Sequence, residues 1–480
     1  MEKDSAISRR SFLKGTAATA AITLINGAAW KVSGNTLALN PGPGNKWPGR
    51  VVINFNKNAV IMNGINATAV PEVIRAMVDE GILCLTGLTT LGEAWKAVFP
   101  STLTAQSKIA IKVPLGCATQ KMAPHWASVK AITDGLQQMD FNGTKFPASN
   151  ITIYDSRCSN RLSSYGYNTA NFGNQIKIVY EEKDGSGYTD GAKNNQYNRY
   201  APSLHDADFL INVFRPGGHS SYVEGFTLGF KNHYGTYPAE HSNTAAPGYL
   251  RDINCTGVVY NKNVLSVCAG IFGAQENSGN PGSSDIPYYN YARQIDSSIS
   301  NDRYPPCTII MSTDPVTAEM QTIKMMRLNN GKGYGVNDMP KYLRASGGVS
   351  GALNDATYNI GIIDESQMDI RRIINGEAIG VSTRRQYQKG VDSGVLTFTI
   401  ESSRIHPVSA GFSMPAVGAV KVRITDLAGN LVQEISSDYK GKIVWNGQTS
   451  KGGLVSPGMY FVTLSSGSFR ETKKISISGR

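Results

Sequence analysis

The chain has 480 residues, 41% of them hydrophobic and 17% charged. That length exceeds what one core usually serves, and that balance excludes a disordered or collagen-like polymer. The formal net charge is +11, but basic pairs such as Arg371-Arg372, Arg384-Arg385 and Lys473-Lys474 are scattered, without the stripe that phosphate tracking needs, so no nucleic-acid role is expected.

Residues 8–14 read S-R-R-S-F-L-K and precede a mildly apolar stretch over residues 15–30. The stretch is too short and too weakly apolar for a stable membrane span. The pattern is that of a twin-arginine secretion signal, whose partner is the twin-arginine translocation machinery and whose cargo travels already folded. Residues 1–40 are read as this leader, with cleavage expected between Ala29 and Asn40. No later run is apolar enough to span a bilayer, so the mature chain is expected to be exported: periplasmic, cell-surface or extracellular. Six cysteines (Cys84, Cys117, Cys158, Cys255, Cys268 and Cys307) include no C-x-x-C pair, which disfavours a cysteine-held zinc or an iron–sulfur cluster. Disulfides and buried free thiols both remain open.

From about residue 47 the pattern alternates between strand-like and helical runs. RVVINF at residues 50–55 reads as a buried strand, and residues 71–80 as a helix opening on proline. KIAIKV at 108–113 is a second strand, ending at Pro114-Leu115-Gly116. Residues 126–139 carry Trp126, Val129, Ile132, Leu136 and Met139 at helical spacing, and NITIY at 150–154 is a third strand. Residues 159–200 read as surface loops around one strand, 175–180. ADFLINVF at 207–214 is a further strand, followed by strands near 264–269 and 307–311 and a helix over 315–328. This alternation predicts an α/β body over residues 45–380 with a largely parallel sheet. Beyond a linker at 381–404, residues 405–480 alternate at period two. Strands are expected at 420–425, 431–435, 443–445, 459–464 and 474–477, after one at 395–400 within the linker. Gly-containing turns separate them, which predicts a small all-β sandwich with Trp445, Tyr460 and Val462 in its core.

KIAIKVPLG, then DADFLINVFRPGGHSSYVEGFTLGFKNHYGT, and STDPVTAEM together resemble the prokaryotic domain of unknown function 362 family, over roughly residues 48–380. The resemblance implies a strand ending in a loop with a histidine, here His219, and a closing Lys-Asn-x-x-Gly signature, here Lys231-Asn232-His233-Tyr234-Gly235. It also implies a Ser-x-Asp-Pro-Val pattern, here residues 312–316. Two departures stand out. The strand-then-glycine segment at residues 267–270 has no acid, and a later acidic position, usually Asp, is Glu319. The ferredoxin-type cysteine clusters of many relatives are missing, which disfavours iron–sulfur electron transfer. The tail from about His406 resembles the immunoglobulin-like module of flagellar hook-capping proteins. Its carriers are residues 420–429, Trp445-Asn446-Gly447 and residues 456–460, and in such proteins the module implies sorting or attachment.

The loop Arg215-Pro216-Gly217-Gly218-His219-Ser220 leaves the C-terminal end of a presumed parallel strand, the edge where open α/β sheets place ligands. Gly217 and Gly218 let backbone amides approach an anion, and His219 suits proton transfer or metal ligation near neutral pH; a solvated surface loop is the alternative. Lys231 and Asn232 could hold a carboxylate or phosphate oxygen, or simply decorate a helix C-terminus. Lys112, alone among apolar strand residues, must pair with an acid or face a ligand. Asp314 is either a catalytic partner or a helix N-cap. His205, His219, His233 and His241, with Asp206, Asp208 and Glu240, could hold a divalent metal, although no short ligand spacing is present. Two readings follow. One is an exported enzyme or binding protein for a small anionic, carboxylate-bearing molecule, with His219 and Asp314 catalytic and Lys112, Lys231, Asn232, Gly217 and Gly218 binding. The other is a non-catalytic surface or matrix-binding protein attached through its C-terminal module.

Overall fold

The computed structural model describes residues 38–115, 120–156, 161–181, 189–190, 199–219, 224–237, 246–255, 257–274, 287–334, 338–347 and 358–379, then shorter stretches between 399 and 477. Two compact units divide the chain, residues 1–384 and 385–480.

The first unit is built on one nine-stranded sheet. Its strands in chain order are β1 (Arg50–Phe55), β2 (Ile109–Lys112), β3 (Ile151–Asp155), β4 (Lys177–Tyr180), β5 (Phe209–Phe214), β6 (Asn263–Gly270), β7 (Thr308–Ser312), β8 (Asp369–Ile374) and β9 (Glu377–Ile379). Across the sheet they lie β9-β8-β1-β7-β6-β5-β2-β3-β4. Every residue of β2, β5, β6 and β7 is buried, as continuous apolar runs covered on both faces should be. On one face α1 (Pro71–Thr86) packs over β1 and β7 and against α2 (Leu91–Ala97) and α3 (Trp126–Leu136). On the other, α7 (Pro315–Asn329) covers β6 and β7 and meets α4 (Gly229–Asn232) and α8 (Lys341–Ser346). Between these last come α5 (Ala246–Cys255) and α6 (Gly257–Lys262). The alternation of β7 fixes the two faces: Met311 meets Gly81 of α1, whereas Ile310 pairs with Cys268, whose thiol reaches Thr322 of α7.

The sheet is parallel except at two strands. β7 runs against both β6 and β1, and β9 runs against β8. The apolar run of β7 carries no information about its direction, so its reversal was invisible in the sequence. β8 was not expected either, because its Arg371-Arg372 pair reads as surface. Arg372 is buried, beside the Lys324–Glu365 ion pair. Lys231 and Asn232 do lie in a helix, but a short one that opens only after a turn. Glu224 and Gly225 both have positive φ, Phe226 bridges Gly218, and only Gly229–Asn232 is helical.

The second unit is all β. One sheet pairs β10 (Thr399–Ser402), β11 (Ala410–Ser413) and β14 (Lys442–Trp445); the other orders β13 (Leu431–Ser437), β12 (Val420–Thr425), β15 (Gly458–Ser466) and β16 (Phe469–Ile477). All pairings are antiparallel. Trp445 of the first sheet meets Tyr460 of the second at 6.2 Å between ring centroids, and its indole N–H donates to the carbonyl of Gln448. Val422, Ile424 and Val462 are buried with them.

Candidate functional site

The ends of β2, β3 and β5 are tied together by a buried polar network. Lys112, last residue of β2, is 1% exposed, and its ammonium donates to the carbonyl of Val113 (3.0 Å), Asp155 Oδ1 (2.7 Å) and Asn232 Oδ1 (2.9 Å). Asp155, at the end of β3, uses its second oxygen to accept the amide of Leu115 at 2.7 Å. The side-chain amide of Asn232 donates to Asn212 Oδ1 (2.7 Å) and the carbonyl of Val213 (3.0 Å), and Asn212 donates in turn to the carbonyl of Gly229. Between pairing with an acid and facing a ligand, Lys112 has taken the acid. With Asn232 it is a scaffold, its donors spent inside the protein.

The remainder of the Lys-Asn-x-x-Gly signature wraps this scaffold. A Cβ on Gly235 would stand 2.7 Å from Ser156 Oγ and 3.0 Å from both Asp155 Oδ1 and Lys112 Cε, so only glycine lets this turn approach so closely. His233 is fully buried, with Nδ1 3.0 Å from Thr236 Oγ1, which lies 3.0 Å from the Tyr154 hydroxyl. Burial, then the charge of Lys112, pushes the His233 imidazole down to about 3, so it is neutral at physiological pH. The Lys231 ammonium lies 5.1 Å from the centroid of the Tyr234 ring.

The loop after β5 belongs to the same excursion of chain. Gly217 and His219 exchange backbone hydrogen bonds with Thr227 and Gly225, and Thr227 leads directly into α4. The carbonyl of Pro216 accepts the amide of Ala274, joining this loop to the one that follows β6. His219 itself is 8% exposed, not a solvated surface histidine. Glu319 reaches the excursion from α7: Oε2 accepts the amide of Phe230 at 2.7 Å and Oε1 the hydroxyl of Tyr342 at 2.9 Å. Burial pushes its carboxyl up to about 8. In the loop after β2, His125 caps α3 through Nδ1 and lies 6.3 Å from Phe272, and Lys121 lies 5.7 Å from the same ring. Burial lowers the His125 imidazole to about 4. Sequence reasoning missed Asp155, His125 and Phe272. For Asp155 the signal was there, an acid directly following an apolar strand beside the strand of a buried lysine.

Asp314 is not part of this group. Because β7 runs backwards, its end lies at the opposite edge of the sheet, where the Asp314 carboxylate accepts the amides of Gly49 (2.9 Å), Thr317 (3.0 Å) and Ile362 (2.9 Å). It is a helix N-cap that also pins two loops, which is one of the two roles expected for it, and it stands at the opposite edge of the sheet from His219. Nor do the described histidines gather around a cation. His205 is exposed and paired with Asp206, His233 bonds Thr236, and His241 lies outside the described residues, as do Cys117 and Cys158. Among the described residues, no group of three His, Cys, Asp or Glu side chains could hold a metal ion, Cys84, Cys255, Cys268 and Cys307 are free thiols, and no helix is long and apolar enough to cross a membrane.

Comparison with known proteins covers the segment that carries most of this network. Residues 109–324 match the family described as Domain of unknown function (DUF362), a span running from the start of β2 to the middle of α7. Residues 6–25 match the TAT (twin-arginine translocation) pathway signal sequence. No curated protein matches. Among solved structures, the crystal structure of an engineered protein aligns over 95% of this chain and 94% of its own at 10% identity, but a TM-score of 0.16 leaves that likeness without structural meaning. The chain thus carries a DUF362 domain behind a twin-arginine signal sequence, and it is exported across the cytoplasmic membrane.

Proposed function

We propose that the exported α/β unit binds a small anionic, carboxylate-bearing molecule at the C-terminal edge of its parallel strands. Lys231 supplies the cation, the amides of Gly217 and Gly218 line the approach, and His219 exchanges a proton with the ligand. Lys112 and Asn232 serve the site by holding α4 in place instead of touching the ligand. One observation carries the reading: the signature segment is bonded through Asn232 to the ends of β2 and β5, and its Gly235 closes against Asp155 and Ser156 at the end of β3, on the edge where such sheets present their loops. An N–H···O network this deeply buried costs stability unless fully paired, and it fixes a segment whose next residues are a lysine and a histidine. The C-terminal unit, with its Trp445–Tyr460 contact between two antiparallel sheets, supports a separate immunoglobulin-like module for attachment or sorting. The test is a thermal-shift panel of mono- and dicarboxylates and inorganic phosphate on the leaderless protein, repeated with Lys231→Met and His219→Gln. A carboxylate that stabilises the wild type and not Lys231→Met supports the proposal. Stabilisation that survives both substitutions moves the site elsewhere.

A further inference from the structure

The described chain enters the body along an unusual path. Residues 40–49, which follow the leader match ending at residue 25, cross the edge of the sheet opposite the candidate site and bond to four distant parts of the chain. The amide of Asn40 donates to the carbonyl of Asn359 at 2.7 Å, and the Tyr260 hydroxyl lies 3.2 Å from Asn40 Oδ1 and 3.1 Å from the carbonyl of Pro41. Asn45 donates to the carbonyl of Ile360, and the Lys46 ammonium to the carbonyls of Ala97 (2.9 Å) and Phe99 (2.8 Å). The amides of Trp47 and Gly49 end on Thr313 and Asp314. The glycines permit this contact: a Cβ on Gly44 would stand 2.2 Å from the carbonyl oxygen of Asn263, and one on Gly42 2.7 Å from that of Tyr260. Beneath the segment lies a small cavity lined by Asn45, Asn254, Asn263 and Thr313; the side-chain Oδ1 of the buried Asn263 has no hydrogen-bond partner.

We infer that residues 40–49 are a strap that seats only on a completed body, making presentation of the leader conditional on folding and setting the processing boundary upstream of Asn40. The partners come from α2, α6, β6, the β7–α7 corner and the segment before β8. Together those elements span residues 97–360 of the chain, so no partly folded body offers all of them together. An exporter that accepts folded cargo meets a leader tethered at a finished edge, while the opposite edge stays clear. A peptidase needs extended, accessible chain, which the strap denies it from Asn40 onward.

The experiment compares Asn45→Ala/Tyr260→Phe with wild type and with Ile61→Ser, a control on an exposed hairpin away from the strap. Three quantities are measured: the exported fraction of the full chain, the thermal midpoint of the leaderless protein, and the intact mass of the exported product. The strap account expects export to fall several-fold in the double variant alone, while its leaderless form keeps a cooperative transition within a few degrees of wild type. It also expects an exported N-terminus at or before Asn40. Wild-type export of the double variant overturns it. So does a leaderless body that no longer folds, or an N-terminus inside residues 41–49.

Discussion

Glu319 gives the sharpest thermodynamic prediction. Its carboxyl is buried, has Tyr342 and the Phe230 amide as hydrogen-bond partners, and is pushed from 4.5 to about 8 chiefly by loss of water. The folded protein therefore holds a proton that the unfolded chain releases near pH 4.5. Stability linked to that proton is fully present below about pH 4.5, declines by about 1.4 kcal/mol per pH unit above it, and is lost once pH passes about 8. The whole window amounts to about 5 kcal/mol. The other titratable groups packed around it are silent there: burial raises the Cys268 thiol to about 12 and the Tyr342 hydroxyl well above its usual range. Glu319→Gln keeps an acceptor for Phe230 and an amide for Tyr342 but carries no charge at any pH. Its melting temperature relative to wild type should rise between pH 5 and about pH 8, by roughly 6 °C for a unit of this size, and level off above that. Differential scanning fluorimetry of the leaderless pair at five pH values measures it directly. A difference that stays flat with pH would refute the assignment of a buried neutral acid.

Three other outcomes follow from the same network. Lys112→Met and Asp155→Leu should each cost about 3–5 kcal/mol by leaving a buried partner unpaired, whereas the double substitution should cost clearly less than their sum; urea unfolding of all four proteins decides it. Gly235→Ala should destabilise by about 1–3 kcal/mol, because its methyl would be forced against Lys112 and Asp155, and a midpoint unchanged in urea would show that the turn can yield. Asp314→Ala should lose about 2 kcal/mol as a helix cap and loop anchor. Ligand affinity should stay unaltered, and a selective loss of binding would return Asp314 to the site.

Much of the body was legible because its strands are short apolar runs and two of its helices, α1 and α7, begin on proline. β1, β2, β3, β5 and α7 fall within a residue or two of their expected limits, and the leader is written in a local motif. Direction was not legible: TIIMS reads the same whichever way it enters a sheet, and the reversal of β7 alone carries Asp314 to the far edge. Burial of charge misled in the same way. Arg372 and Lys324 look like surface residues until Glu365 is seen between α7 and β8. The loop reading of residues 159–200 overlooked Tyr165, Tyr167 and Phe172, buried aromatics among polar neighbours, with Tyr167 donating to the carbonyl of Pro124. At the site, the sequence singled out Lys112, Lys231 and Asn232 by residue type and position. That Lys112 and Asn232 bond each other, across 120 residues, lies beyond any spacing rule.

The central claim is that the edge carrying Lys231 and His219 receives a small anion. An anomalous diffraction map from crystals of the leaderless protein soaked in bromide tests it most directly. The account predicts an ordered bromide touching the Lys231 ammonium or the Gly217–Gly218 amides, displaced when the stabilising carboxylate is added. Bromide bound only beneath the strap or elsewhere, with that edge empty and the carboxylate displacing nothing there, would contradict it.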